Sequence, residues 1–258
     1  MPAFQAPGSL DARAAAIYPQ GMPNALSATA ALLTLLLASG AAAADKKAPS
    51  SEPSSGGASL LFVEGRVTVT VGGHKKEGRA GDALESGDAV ATARKATAVI
   101  ALPDGSRLKL RESSNIVLEI PGQSGGSMGG TLTLGGVFAK VTKRLAGHEF
   151  RVRAGDAVAS VRGTQFFTAF GRPAKGGRDL WVCVGEGAVD VSAAGADKAQ
   201  RVAAGEGVLI KSGRDLTAPQ AYNWTKTLNW NMDPAQGSVE DAADLDHAYS
   251  DLLDQDYR

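Results

Sequence analysis

The side chains that most often carry out chemistry are few in this chain and poorly arranged for it. The three histidines, His74, His148 and His247, lie far apart and share no metal-ligand spacing. Cys183 lies in an apolar Trp-Val-Cys-Val run with no histidine pattern around it, so a packed thiol is a better interpretation than a nucleophile. Hydrolase, metalloprotease and dinucleotide-binding motifs are missing from the sequence. We therefore predict no enzyme activity, no catalytic residue, no metal site and no cofactor.

Four aspartates lie beside glycine or proline: Asp82, Asp88, Asp104 and Asp156. A calcium loop would place acidic residues in an Asp-x-Asp-x-Asp-Gly pattern, which these four do not form. Aspartate next to glycine or proline commonly caps a turn by accepting hydrogen bonds from nearby backbone amides. We predict that these aspartates cap turns.

The stretch 158–167 contains the residue that we single out, Arg162. Its alternation of apolar and polar residues predicts a half-buried strand. Val161 and Phe166 lie an odd number of positions apart, so both can face one core only if an extra residue is inserted between them. Gly163 is the natural site for such a bulge. Arg162 would then lie at a kink close to the core.

Arg162 has two interpretations. Its guanidinium would either bind a carboxylate-bearing ligand or partner, or pair with Asp156, Glu186 or Glu206 and hold the bulge in place, since a buried arginine needs a partner. We favour the structural role, because bulges usually end or redirect pairing within a fold.

The composition excludes some classes of protein. The chain of 258 residues has 27 basic and 27 acidic residues and no net charge, which argues against a nucleic-acid partner. The 32 glycines, among many short apolar runs, favour a β-protein with tight turns. A single cysteine excludes an internal disulfide framework.

The N-terminal region reads as a targeting signal. An apolar run over 25–38 ends in small residues over 39–44, which is the pattern of a secretory signal peptide. A membrane-spanning helix needs about 20 strongly apolar residues, more than this run provides. We predict a signal peptide over 1–44 and a flexible linker over 45–59. The protein would be exported, periplasmic or extracellular, and bound to a membrane only if the apolar segment is retained.

Short alternating strands fill the region 60–215. A weak repeat pairs a Gly-x-Val-x-Val unit with an Ala-Gly-Asp/Glu unit, and its members begin at Gly65 and Ala80, Gly136 and Ala154, and Gly187 and Ala204. Recurring strand–turn–strand units suggest layers that wind round one core. We predict an all-β domain, an antiparallel β-sandwich or β-roll with degenerate strand–turn–strand repeats.

A C-terminal extension follows over 216–258. Its aromatic residues Tyr222, Trp224 and Trp230 cluster, and we expect them to cap the open end of the β-domain rather than form a contact surface. The helical spacing of Ala242, Leu245 and Ala248 and of residue 252 predicts a short amphipathic C-terminal helix with an acidic face. We expect a solvated terminal helix rather than a docking element.

Several of these pieces together resemble the FecR domain family. They are found, in this order, at 81–84, 86–88, 98–106, 134–137, 161–166, 185–191 and 204–206. The resemblance implies an all-β extracytoplasmic module. In the best-known members of the family, this module relays the state of an outer-membrane receptor to a sigma factor. Such regulators carry a cytoplasmic segment before their membrane span, and the short leader before the apolar run here shows no helical pattern.

The resemblance also marks the family-motif residues Asp104, Gly105, Val161, Arg162, Gly163, Thr164 and Phe166, for which we expect structural roles. The leading hypothesis is a non-catalytic exported interaction module of the bacterial cell envelope that binds an unidentified envelope protein or glycan. The alternative is a membrane-anchored regulator that senses an outer-membrane receptor.

Overall fold

The computed structural model describes residues 57–122, 126–142, 149–161, 163–174, 177–245 and 247–248. The predicted signal peptide and nearly all of the predicted linker lie outside these residues, as does Arg162. No helix among the described residues is long and apolar enough to cross a membrane.

The described residues form a fold in which β-strands are the dominant secondary structure, as the sequence predicts. In chain order the strands are β1 (Ala58–Glu64), β2 (Val67–Val71), β3 (His74–Glu77), β4 (Ala83–Leu84), β5 (Ala89–Thr92), β6 (Thr97–Ala101), β7 (Arg107–Leu110), β8 (Asn115–Glu119), β9 (Ser127–Lys140), β10 (Glu149–Ala154), β11 (Ala157–Val161), β12 (Gln165–Ala174), β13 (Gly177–Glu186), β14 (Ala188–Ser192), β15 (Gln200–Ala203), β16 (Glu206–Lys211), β17 (Asp215–Leu216) and β18 (Gln220–Ala221). Two short 3₁₀ turns follow, at Asn223–Lys226 and Pro234–Gln236.

The strands pair into two layers that share β9. Sheet A has the order β4-β1-β6-β7-β9-β12-β13-β16, and β16 also pairs with β17 and β18. Sheet B has the order β3-β2-β5-β8-β9-β10-β11-β14-β15. Every pairing is antiparallel except that of β9 with β10. The antiparallel all-β sandwich is confirmed.

The long strand β9 passes from sheet B to sheet A at Gly135. Its first part pairs with β8 and β10, and its last part pairs with β7 and β12. Gly135 has a φ of +83°, and a Cβ there would lie 2.3 Å from Ser114 Oγ. The same hydroxyl accepts a 2.8 Å hydrogen bond from the Gly136 amide. Only glycine fits this bend, because a side chain would occupy the position of the serine that holds it.

The main core fills the space between the sheets. Alternate residues of each strand point into it, as period-two patterning requires. On β7, for example, Leu108 and Leu110 are fully buried in this core, and Lys109 between them points to the outer face of sheet A. A second apolar cluster covers that outer face and includes Phe138, Phe167 and Trp181.

The first and third copies of the internal repeat have the same strand arrangement in the structure. In the first copy the chain leaves β1 in sheet A, makes the β2–β3 hairpin in sheet B and returns to β4 beside β1. In the third copy it leaves β13, makes the β14–β15 hairpin and returns to β16 beside β13. Gly65 and Gly187 mark the two departures, with φ of +70° and +81°. Gly136 of the middle copy instead lies inside β9.

The prediction of one bulged strand over 158–167 is wrong. The segment contains the end of β11 in sheet B and the start of β12 in sheet A. Val161 and Phe166 do both face the core, but they do so from opposite layers. Because the chain changes sheet between them, an odd spacing needs no inserted residue. Gly163, with a φ of +67°, lies in this crossover rather than in a bulge.

Candidate interaction site

The family-motif residues Asp104 and Gly105 form a tight turn between β6 and β7. The Asp104 carboxylate accepts hydrogen bonds from the Ser106 amide at 2.9 Å and the Ser106 hydroxyl at 2.7 Å. Gly105 has a φ of +80°, a left-handed conformation that glycine adopts without steric strain. Asp104 therefore caps the turn, which is the role that its position beside glycine predicts.

Thr142, just after β9, fastens this turn to the rest of the fold. Its hydroxyl donates to the Asp104 carbonyl at 2.7 Å, and its amide donates to Ser106 Oγ at 3.1 Å. The neighbouring Val141 amide donates to the Thr164 carbonyl at 2.8 Å. Motif residues from the β6–β7 turn and from the β11–β12 crossover thus meet on either side of Val141 and Thr142, although they are distant in the sequence.

The other described motif residues also make contacts within the fold. Phe166 and Val161 lie in the main core, and Thr164 is buried. A Cβ on Gly187 would lie 2.8 Å from Thr164 Cγ2, so the crossover packs directly against the start of β14. Arg162 lies outside the described residues, and its role remains a prediction.

The remaining candidates for chemistry are also placed by the fold. Asp82 and Asp88 cap turns by accepting the Arg79 and Glu85 amides at 3.1 and 2.9 Å. Cys183 is buried, and its burial raises the pKa of the thiol well above its ordinary value. Within the part of the chain that the structure describes, no group of three or more His, Cys, Asp or Glu residues could hold a metal ion.

The feature that the sequence did not predict is a C-terminal strap, residues 222–245 and 247–248, which lies on the outer face of sheet A. Tyr222, Leu228 and Met232 of the strap are buried in the same cluster as Phe138 and Trp181 of the sheet. The Tyr222 hydroxyl donates to the Ala248 carbonyl at 2.6 Å and so joins the two ends of the strap. The aromatic residues therefore cover a sheet face and not an open end of the domain.

Polar side chains of the sheet bind the backbone of the strap. Lys109 donates to the carbonyls of residues 229 and 231, the second at 2.9 Å. Gln165 donates to the carbonyl of residue 230 at 2.8 Å, and Arg107 to that of residue 232 at 3.4 Å. Arg111 donates to the carbonyls of residues 241 and 243 at 3.1 and 2.7 Å. These side chains thus bind the main chain of the strap, and the two arginines also pair with its carboxylates, Arg107 with Asp233 and Arg111 with Asp241.

Two of these cations are buried under the strap. Lys109 is fully buried, with its ammonium 4.2 Å from the centre of the Phe138 ring. Burial lowers the pKa of Lys109 to about 8, opposed by the nearby Asp241 carboxylate and assisted by the Arg111 charge. Burial also lowers the pKa of Arg111, and Asp241 again acts in the opposite direction.

Most of the strapped face lies in a region of the chain that matches a known protein family. Residues 88–207 match the family model described as FecR protein. This part of the chain is a FecR domain. The matched residues run from the start of β5 into β16, and they contain most of the strapped face while the strap itself follows them. The match supports a regulatory or signalling role of the FecR type.

Two solved structures are similar to this chain, each of a candidate anti-sigma factor from Parabacteroides distasonis ATCC 8503. One, at 2.50 Å resolution, has 18% identity and a TM-score of 0.44, and the match covers 52% of this chain and 59% of that one. The other, at 1.65 Å resolution, has 17% identity and a TM-score of 0.46, and the match covers 65% of this chain and 75% of that one. No curated protein matches.

Beside the strap, the FecR domain has an open cleft of about 740 Å³. Its floor is a row of cross-strand neighbours on β7, β9 and β12, namely Arg107, Lys140 and Gln165. Gly105 and Thr142 line one side, and the strap residues 229–233 and 236–238 line the other. Asp233 lies 4.0 Å from Arg107 and partly neutralises it. The cleft is therefore polar, and the turn that contains the family-motif residues Asp104 and Gly105 forms one of its walls.

The sequence contains one signal of the strapped face. Residues 180–184 of β13 are apolar at every position, and such a run indicates a strand covered on both faces. Arg107, Lys109 and Arg111 alternate with leucines from β7 onward, a pattern that is also typical of a strand with a solvated outer face. In this fold, however, the three cations bind backbone carbonyls of the strap.

Proposed function

We propose that this chain is a non-catalytic, exported interaction module of the bacterial cell envelope, which acts in regulation or signalling by binding another envelope component, a protein or a glycan. The observation that carries the proposal is the FecR match over residues 88–207. The export signal expected from residues 1–44 is the basis for its location.

The contacts of the motif residues support a binding role over a catalytic one. Asp104 is engaged by both polar groups of Ser106, and Phe166 is enclosed in the core. The Cys183 thiol is buried beneath the strap, and its raised pKa keeps it protonated and unreactive. What the domain offers to a partner is therefore surface and not a set of reactive groups.

A second candidate is a membrane-anchored regulator that senses an outer-membrane receptor. The same FecR match favours this candidate, because membership of the FecR family supports a regulatory role. The two candidates differ in the fate of the N-terminal apolar segment. Mass spectrometry of the protein isolated from cells separates them: a mature chain that begins near residue 44 or 45 supports the exported module, and a retained apolar segment supports the anchored regulator.

The binding role is tested by photo-crosslinking of the full chain in intact cells. A photoreactive residue is introduced at Gln236, which lines the polar cleft beside the strap. For comparison, one is introduced at Lys75, an exposed residue of β3, which is an edge strand of sheet B. We expect a discrete crosslinked envelope component from at least one position. Absence of specific crosslinks from both positions, in a chain shown to be folded and exported, would contradict the proposal.

A further inference from the structure

The strap follows the geometry of a bound peptide. Its first leg buries Leu228 and Met232 and half-buries Trp230 between them, so that every second side chain faces the sheet. Its second leg buries Val239 and Asp241 in the same alternating way. This is the pattern of an extended chain lying on a surface. In the described residues neither leg is assigned to a strand of the sheets.

The hydrogen bonds that attach the first leg are made to its backbone. The carbonyls of residues 229, 230, 231 and 232 are all bound by side chains of β7 or β12. Every polypeptide presents such carbonyls, and recognition of this kind therefore accepts any segment that can lie extended along the face. The specificity must come from the side chains that enter the sheet.

The side chains that enter the sheet define what the face accepts. The Trp230 ring packs edge-on against Phe138, with ring centres 5.3 Å apart, and lies where a Cβ on Gly185 would approach it at 2.8 Å. Asp241 forms a 2.9 Å ion pair with Arg111. An apolar–aromatic–apolar alternation followed by a carboxylate is thus the chemistry that this face binds.

Charge also favours an acidic segment. Arg107, Lys109 and Arg111 occupy alternate positions from β7 onward and form a cationic row on the outer face. The strap brings Asp233 and Asp241 to the two arginines at the ends of this row. A partner segment that replaced the strap would need to provide similar carboxylates, because buried cations without partners are strongly destabilising.

We propose that the outer face of sheet A is a binding groove for an extended, acidic segment of a partner protein with alternating apolar and aromatic side chains, and that the strap occupies this groove in cis until the partner displaces it. The proposal rests on the proposed interaction function and specifies the partner as a polypeptide. The strap is then an internal competitor that sets how readily the groove opens.

The test uses the full chain and a fluorescent synthetic peptide of residues 223–245 as the probe. Trp230→Ala in the full chain removes a strap side chain that packs on Phe138 and alters no residue of the sheet itself. We expect the peptide to bind this variant at least about tenfold more tightly than the wild type, because apparent affinity scales with the fraction of molecules whose groove is open. Fluorescence anisotropy gives both affinities. A peptide with alanine in place of Trp230 is the matched control and should not bind.

A second variant keeps the proposal testable if Trp230→Ala fails to fold. Asp241→Asn loosens the other leg of the strap, and it too should bind the peptide more tightly than the wild type. Adding Lys109→Met to either variant should abolish the gain. If both single variants show cooperative melting and neither binds more peptide than the wild type, the groove proposal is wrong. Dimers formed by exchange of straps between copies would also overturn it, in favour of a second copy of this chain.

These outcomes are independent of the cellular test of the proposed function. Peptide binding without a crosslinked partner in cells would leave the groove intact and contradict the interaction role. A crosslinked partner without peptide binding would support the interaction role and contradict the groove.

Discussion

Arg111 and Asp241 form an ion pair that joins the FecR domain to the C-terminal strap. The Arg111 Nε and Asp241 Oδ2 atoms are 2.9 Å apart, and the two side chains are only 8% and 1% exposed. The other carboxylate oxygen accepts the Asn229 amide at 2.9 Å and so links the two legs of the strap. One buried carboxylate therefore holds both the sheet and the strap.

Removal of this carboxylate should destabilise the protein clearly. Asp241→Ala leaves the Arg111 charge buried without its partner, and we expect the free energy of unfolding to fall by about 3–5 kcal/mol. Chemical denaturation measures the change. The double variant Arg111→Met with Asp241→Ala should recover part of the loss, because no uncompensated charge remains.

The matched control is an exposed ion pair on sheet B. Arg201 and Asp190 are 3.6 Å apart, with side chains 74% and 56% exposed. Asp190→Ala should change the free energy of unfolding by no more than about 1 kcal/mol, since water screens exposed pairs. Equal effects of the two aspartate substitutions would show that the strap pair is not buried in solution.

Lys109 should make the stability depend on pH. Its pKa in the folded protein is about 8, below the ordinary value of 10.5, so the unfolded chain binds more protons between these two values. The free energy of unfolding contributed by this group must then rise as the pH increases from about 8 to 10.5, by up to about 3 kcal/mol. Denaturation curves at several pH values measure the slope.

Lys109→Met provides the control for this slope. Cys183 acts in the opposite direction, because its raised pKa makes the folded state lose stability as the unfolded thiol ionises. This contribution is common to both proteins and cancels in their difference. The wild type should therefore gain stability relative to Lys109→Met above pH 8. A difference that does not change with pH would mean that Lys109 is not desolvated.

The two-layer β-architecture could be predicted from the sequence because each strand carries its own evidence. Alternation at Leu108 and Leu110, and at Val67 and Val69, fixes which face meets the core without reference to distant residues. The capped turn at Asp104 is equally local.

Features that depend on distant residues could not be predicted in this way. The segment 158–167 resembles one strand by alternation, and only the pairing of Val161 with Val189 and of Phe166 with Ala139 reveals two strands in two layers. The strap was missed for a similar reason. Nothing near Lys109 in the sequence indicates that its ammonium will bind carbonyls of residues 229 and 231.

Gly187 should be less tolerant of substitution than Gly205. Both glycines have left-handed backbones, with φ of +81° and +85°. A Cβ at position 205 meets nothing within 4 Å, so Gly205→Ala should lower the free energy of unfolding by about 1–2 kcal/mol from backbone strain alone. At position 187 the Cβ would lie 2.8 Å from Thr164 Cγ2, and Thr164 is buried. Gly187→Ala should therefore cost about 1–3 kcal/mol more through overpacking. Thermal and chemical denaturation of the two variants compare them, and equal losses would contradict tight packing of the crossover.

Thr168 and Thr92 should respond in opposite ways to replacement by valine. Among the described residues the buried Thr168 Oγ1 has no hydrogen-bond partner, and its strand neighbours Val137 and Val182 face the main core. Thr168→Val exchanges a buried hydroxyl for a methyl group of similar shape, and we expect the free energy of unfolding to rise by about 1 kcal/mol.

Thr92 Oγ1 instead donates to the Arg111 carbonyl and accepts the Ser114 amide at 3.0 Å. Thr92→Val leaves both groups without this partner and should lower the free energy of unfolding by about 1–3 kcal/mol. Denaturation of both variants at one pH decides the matter: a loss of stability in Thr168→Val would mean that its hydroxyl is hydrogen-bonded in solution.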